Sequence, residues 1–138
     1  KDYQQLMVIR RFSADLNIPV DIIGAKILRE EDGLAMSSRN RYLSPQERET
    51  APVLNRVLAD ITARAAKGAE LGPLLAKGRE DILAAGFNPI DYLEVRDAQT
   101  LELVSQTVTR PARIFVAARL GKARLIDNHA IDPVSPAV

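Results

Sequence analysis

Apolar positions recur at three- and four-residue steps near the start of the chain. Leu6, Ile9, Phe12 and Leu16 fall on one stripe of a helix. Asp2 and Gln5 stand at capping-box spacing ahead of that stripe, and Asn17 and Pro19 end it. The pattern then shortens. Val20–Ile23 is β-branched and strand-like, and after Gly24 a second apolar piece runs to Leu28. Helix followed by strand is the order of the last unit of an open α/β sheet, but alone it lacks the neighbouring strands that a parallel sheet needs.

Beyond Leu28 the character changes. Arg29-Glu30-Glu31-Asp32-Gly33 is a turn signal, and residues 29–43 read as a polar loop. Ser44-Pro45-Gln46-Glu47 is a helix start, with Ser44 as N-cap, Pro45 at the first helical position and Glu47 closing a capping box. Pro52 separates a short turn ending near Thr50 from a new helix. Leu54, Val57, Leu58, Ile61 and Ala65 give the new helix one apolar face, and Gly68 stops it. A further helix over about 71–85 carries Leu74, Leu75, Ile82 and Leu83 and stops at Gly86. Gly78 inside it is expected to cost about 1 kcal/mol relative to Ala. The rest reads as β: Ile90–Arg96, Arg113–Arg119, a tight turn at Gly121-Lys122, and Arg124–Ile131. Pro133 to Val138 is expected to be loose.

The fold class is therefore α+β, with helices packed on a small three-stranded antiparallel sheet. Residues 1–27 are the tail of a Rossmann-like nucleotide-binding domain, and 28–138 form a C-terminal domain. A start at Lys1, without Met and on a helix-capping sequence, reads as internal to a longer chain.

Composition narrows the function classes. Of 138 residues, 46% are apolar and 4% aromatic, so the core must be built mainly of Leu, Ile, Val and Ala. Nineteen basic residues face eighteen acidic ones, and this balance gives neither nucleic acid nor an anionic membrane a global attraction. Few aromatics also means few stacking platforms for bases. Any anion site must be local. With no cysteine, disulfides and thiolate metal sites are excluded. A single histidine, His129, gives no support to a zinc site and reads as structural.

Two local groupings remain. At Lys1-Asp2 a helix N-terminus offers unpaired N–H groups and a partial positive charge beside a mobile cation, with Gln5 one turn further on. Met36-Ser37-Ser38-Arg39-Asn40 gathers two hydroxyls, a guanidinium and loop amides within five residues, a set able to clasp a polyphosphate. Pattern alone leaves each open to a plainer reading, a capped helix with a solvated lysine and an ordinary polar loop. Arg10-Arg11 and Arg29 through Asp32 read as solvated faces. Asp127-Asn128 is assigned no chemistry.

Lys1-Asp2-Tyr3-Gln4-Gln5-Leu6, the run from Arg29 through Asp32-Gly33-Leu34-Ala35-Met36-Ser37-Ser38-Arg39-Asn40-Arg41-Tyr42-Leu43, Ala117-Ala118-Arg119-Leu120-Gly121 and Arg124-Leu125-Ile126-Asp127-Asn128 together resemble the pantothenate synthetase (pantoate–β-alanine ligase) family. The resemblance implies a cytoplasmic, usually dimeric ligase whose nucleotide-binding domain is similar to that of class I aminoacyl-tRNA synthetases. ATP, accompanied by magnesium, and pantoate give a bound pantoyl adenylate and pyrophosphate. The amine of β-alanine then releases pantothenate and AMP. Carried over position by position, Lys1 and Asp2 match ATP contacts, and Gln5 matches a pantoate contact. Leu28 falls at a backbone contact to adenine where the family more often has Val. Met36, Ser37, Ser38 and Arg39 match the loop that closes on ATP. Lys1 and Arg39 are the expected catalytic groups. No metal held by protein side chains is expected, and His129 matches no functional position. The family's N-terminal histidine pair and most of its pantoate pocket have no counterpart here, so the chain alone is expected to be inactive. The alternative from another class is an isolated folding or interaction module that binds no nucleotide.

Overall fold

The computed structural model describes residues 1–134. Helix α1 spans Tyr3–Asp15, α2 Pro45–Thr50, α3 Val53–Ala65 and α4 Leu71–Ala84, and a 3-10 helix covers Ser38–Tyr42. Strands β1 (Ile90–Asp97), β2 (Leu103–Val104), β3 (Ala112–Leu120) and β4 (Ala123–Ile131) form one antiparallel sheet in the order β2-β1-β3-β4. The α+β class holds, with four strands rather than three. The extra strand is only two residues long, too short to leave a period. The Asp97 carboxylate makes it possible by accepting from the Gln99 and Thr100 N–H groups, which turns the chain so that Val104 and Leu103 pair with Val95 and Arg96.

Helix boundaries follow the local chemistry. Ser44 and Glu47 form a complete capping box, with Pro45 at the first position, and Pro52 separates α2 from α3. Gly68 and Gly86 end α3 and α4 at φ of +86° and +99°. Leu54, Leu58, Ile61 and Ala65 of α3 and Leu71, Leu74 and Ile82 of α4 are buried against Leu93 and Val95 of β1 and Ile114, Val116, Ala118 and Leu120 of β3. Leu83 lies outside this face and is half exposed. Gly78 is more than a helix-weakening residue. It is buried, and a Cβ there would press on Ile61 and come within 3.2 Å of Val57 and Leu93, so its lack of a side chain lets α3 and α4 approach.

β3 is central and buried on both faces. Its alternate residues Phe115 and Ala117 point away from α3 and α4 yet are also buried. The start of α1 covers part of this second face. The Tyr3 ring lies 6.1 Å from that of Phe115, its hydroxyl donates to Ala98 O at 2.8 Å, and the Arg113 guanidinium stands over it at 4.1 Å.

The remainder of α1 has no such partner. Ile9, Phe12 and Leu16, three of the four stripe residues, are exposed, as is Val8. Val20–Ile23 is not a strand among the described residues. The stretch has the residue types but no neighbouring strand to pair with, and Ile23 and Leu28 are largely exposed. At the other end Val134 N–H donates to Ala66 O at 2.8 Å, so Pro133-Val134 is tied to the end of α3. The rest of the segment expected to be loose, 135–138, lies outside the described residues. No helix among the described residues is long and apolar enough to cross a membrane.

Candidate active site

The Asp2 carboxylate caps α1 by accepting from the Gln5 N–H at 3.0 Å. An α-helix leaves its first four N–H groups without intrahelical partners, so the cap satisfies one and leaves a positive end beside Lys1. Lys1 is itself held. Its carbonyl accepts from Asn128 Nδ2 at 2.6 Å. Its ammonium is partly buried, and burial pushes its pKa below the usual lysine value. Asp127 opposes that shift, while the charges of Arg39 and Arg29 reinforce it.

The segment carrying Arg39 is shaped by short backbone bonds. Arg29 and Ala35 form an isolated antiparallel bridge, Met36 N–H donates to Leu28 O at 2.9 Å, and Glu30 N–H donates to Leu34 O at 2.9 Å. The turn between them needs Gly33 at φ +89°, and a side chain there would also strike Asn55. Ser37 then caps the 3-10 helix, its Oγ accepting from Arg39 N–H at 3.2 Å. Asn40 Nδ2 fastens the segment by donating to Ala35 O at 3.2 Å. Met36, Ser38 and Arg39 face solvent, and Ser37 is partly exposed.

Lys1 borders two hollows. One is an open groove of about 690 Å³ between the start of α1, residues 23–27 and the sheet, lined by Asp2, Leu6, Lys26, Arg29, Arg113 and Asn128 among others. The other is a narrow crevice that Lys1 shares with Leu34, Ala35 and Asn40 at the root of the Arg39 segment. The structure thus brings Lys1 and Asp2 together at the helix start, with Arg39 within electrostatic reach of Lys1. Gln5, Leu28, Met36, Ser37, Ser38 and Arg39 do not line the groove.

Polar residues to which pattern reading assigned no chemistry organise this region. Arg29 is not a solvated face. Its guanidinium grips Asp127 with two bonds of 2.7 and 2.9 Å and donates to Gly33 O at 3.0 Å. Asp32, read the same way, pairs with Arg48 at 2.5 Å. Arg113 Nη1 donates to Asn128 Oδ1 at 2.5 Å, and burial lowers the Arg113 pKa below the usual guanidinium value. His129 bonds to α3 through Asn55. Its Nε2 lies 2.8 Å from Asn55 Oδ1, which makes the Nε2–H tautomer the donor. Burial pushes the imidazole pKa down, Asp127 opposes, and the Arg29 and Arg113 charges add to the lowering. The available signal was the run Asp127-Asn128-His129, three consecutive polar residues in the middle of a strand. Period two sends Asp127 and His129 to one face and Asn128 to the other.

A profile of the family described as pantoate-beta-alanine ligase matches residues 1–130. The pantothenate synthetase of Paramagnetospirillum magneticum is 54% identical over 136 residues, covering 96% of this chain and 46% of that protein. That of Rhodospirillum rubrum is 48% identical over 128 residues, covering 93% and 45%. The solved pantothenate synthetase of Thermus thermophilus superposes with a TM-score of 0.88 at 46% identity, covering 96% of this chain and 48% of that one. The Francisella tularensis pantoate-beta-alanine ligase, solved in complex with beta-gamma ATP and beta-alanine, superposes with a TM-score of 0.66 at 29% identity, covering 94% and 40%. The chain spans about half the length of the curated relatives it matches. With the profile running along nearly all of its length, and a fold shared with solved members, the chain belongs to the pantoate-beta-alanine ligase family.

Proposed function

We propose that this chain is the C-terminal part of an ATP-dependent ligase that joins pantoate to β-alanine through a pantoyl adenylate, and that its task is to grip the triphosphate. The observation that carries this reading is the position of Lys1, which borders both the open groove at the α1 N-terminus and the crevice at the root of the Arg39 segment. Lys1, at the α1 N-terminus, feels the charge of Arg39, on the serine-rich segment. The Asp127 carboxylate offsets part of this repulsion, and a polyanion held between the two cations offsets the rest. ATP enters as its magnesium complex. The pantoate carboxylate attacks the α-phosphorus, the bond to the β-phosphate bridging oxygen breaks, and pyrophosphate leaves. The amine of β-alanine then attacks the acyl carbon, AMP departs, and the ammonium proton goes to solvent or base.

The residues divide this work by chemistry. Lys1, the first-turn amides of α1 and Arg39 neutralise the phosphates, and Ser37 and Ser38 add hydroxyl donors. Asp2 keeps the helix end shaped. Gln5, one turn along, orients pantoate, and the backbone at Leu28 meets the adenine. Residues 1–27 belong to the nucleotide-binding domain and 28–138 to a lid that swings about Leu28 and excludes water from the adenylate. The exposed apolar face of α1, with Ile9, Phe12 and Leu16, is the surface on which the rest of that domain packs. The 138-residue chain alone therefore forms no pantothenate.

ATP–pyrophosphate exchange dependent on pantoate, measured on the full-length ligase carrying these residues, tests the proposal. Arg39→Ala lowers the exchange rate by a factor of about 10²–10³. Because the Arg39 side chain is exposed, melting is unaffected. An unchanged exchange rate removes Arg39 from the mechanism.

A further inference from the structure

Asn128 is nearly fully buried, on a strand whose neighbours are mostly apolar. Its side-chain amide is used at both ends. Oδ1 accepts from Arg113 Nη1 at 2.5 Å, and Nδ2 donates to the Lys1 carbonyl at 2.6 Å. An arginine can only donate and a carbonyl can only accept, so these partners fix the amide orientation and require a group with both capacities. Arg113 is in turn held from the other side by the Tyr3 ring, and Tyr3 is fastened through its hydroxyl to Ala98 O. The first peptide of the α1 entry is thus pinned to the middle of the sheet.

The adjacent residue serves the other segment. Asp127 points to the opposite face of β4 and grips Arg29, which also holds the carbonyl of Gly33 in the turn before Arg39. The Asn128 N–H donates to Asp127 Oδ1 at 2.7 Å, joining the two sides. Consecutive residues of one strand therefore anchor both segments that carry the cations.

We infer that Asn128, oriented by Arg113, is a positioning residue for Lys1. It sets the direction in which the lysine leaves the helix start, and so its distance from Arg39, without itself touching substrate. This inference rests on the reading of Lys1 as a phosphate-gripping group. A misplacement of about 1 Å at such a group is sufficient for a loss on the order of 10²-fold.

The test is a double-mutant cycle on the full-length ligase, read by pantoate-dependent ATP–pyrophosphate exchange, with melting temperature recorded for each variant. Asn128→Ala lowers kcat for exchange by about 10- to 100-fold. Lys1→Ala lowers it at least as far, and Lys1→Ala/Asn128→Ala is no slower than Lys1→Ala alone, because Asn128 acts through Lys1. Asn128→Asp keeps an acceptor for Arg113 but replaces the donor to Lys1 with a carboxylate oxygen that adds charge at a buried position, so it too releases the Lys1 carbonyl and carries the same test if Asn128→Ala does not fold. A double variant slower by the product of the single losses marks a general structural role and overturns the inference. So does an Asn128→Asp rate within about twofold of the unsubstituted protein. Unchanged exchange in Lys1→Ala alone overturns the reading of Lys1, and this inference with it.

Discussion

Removing either half of the Arg29–Asp127 pair gives unequal losses of stability. The Asp127 side chain is 4% exposed and that of Arg29 is 24% exposed. Arg29→Ala leaves a buried carboxylate whose remaining donor is its neighbour's N–H, Asn128 N at 2.7 Å. Stranding a buried charge in this way costs about 3–5 kcal/mol. Asp127→Ala leaves a guanidinium that reaches water and retains Gly33 O as an acceptor at 3.0 Å. The loss is then closer to that of a charged hydrogen bond, about 1.5–3 kcal/mol. The double variant, with neither charge left unpaired, loses less than the sum, by a coupling of about 0.5–3 kcal/mol. Urea unfolding of the 138-residue chain, followed by far-UV circular dichroism at neutral pH, measures all three variants against the parent. Equal losses, or a larger loss for Asp127→Ala, contradict the assignment of the burial cost to the carboxylate.

Other outcomes rest on the same geometry. Arg39→Ala, exposed at the loop surface, slows pantoate-dependent exchange in the full-length ligase by about 10²-fold or more while its melting temperature stays with the parent. Gly78→Val overpacks the contact with Ile61, Val57 and Leu93 and lowers stability by about 1–3 kcal/mol in urea titration, whereas a parent-like midpoint denies the close helix approach. His129 titrates below its ordinary value of 6.5 when folded. As pH falls through 6.5 toward that lower folded value, the unfolded chain takes up the proton first and unfolding gains. The urea midpoint therefore drops as pH falls through 6.5, and His129→Gln removes part of that drop. An identical pH slope in the variant assigns the effect to other groups.

Much of this architecture was legible in the chain. Ser44-Pro45-Gln46-Glu47, Pro52, Gly68 and Gly86 act through neighbours within a turn, so their consequences could be read without tertiary information. The face of α3 followed from spacing alone. Other features depended on partners distant in sequence. Val20–Ile23 has strand-type residues, but strand formation needs a neighbour to bond, and propensity does not supply one. β2 is too short to show alternation, and it exists because Asp97 turns the chain. Gly78 reads as a weak point in a helix until Ile61 is seen against it. In the candidate site, Lys1-Asp2 and the Ser37–Arg39 segment stand out as local groupings, but pattern alone left each open to a plainer reading, and the family resemblance is what selected them. The residues that hold them do not stand out. Asn128 meets Lys1 across nearly the whole chain, and Arg29 reaches Asp127 across most of it, so both looked like ordinary surface charge or strand-end polarity.

The central claim is that Lys1 and Arg39 grip one triphosphate from two sides. The most direct measurement is the calorimetric affinity of the full-length ligase for ATP relative to adenosine, in the parent and in Lys1→Ala/Arg39→Ala. If both cations hold phosphate, each contributes on the order of 1.5–3 kcal/mol, and the preference for ATP shrinks by about 100-fold or more in the double variant. A preference for ATP that survives both substitutions unchanged contradicts the account.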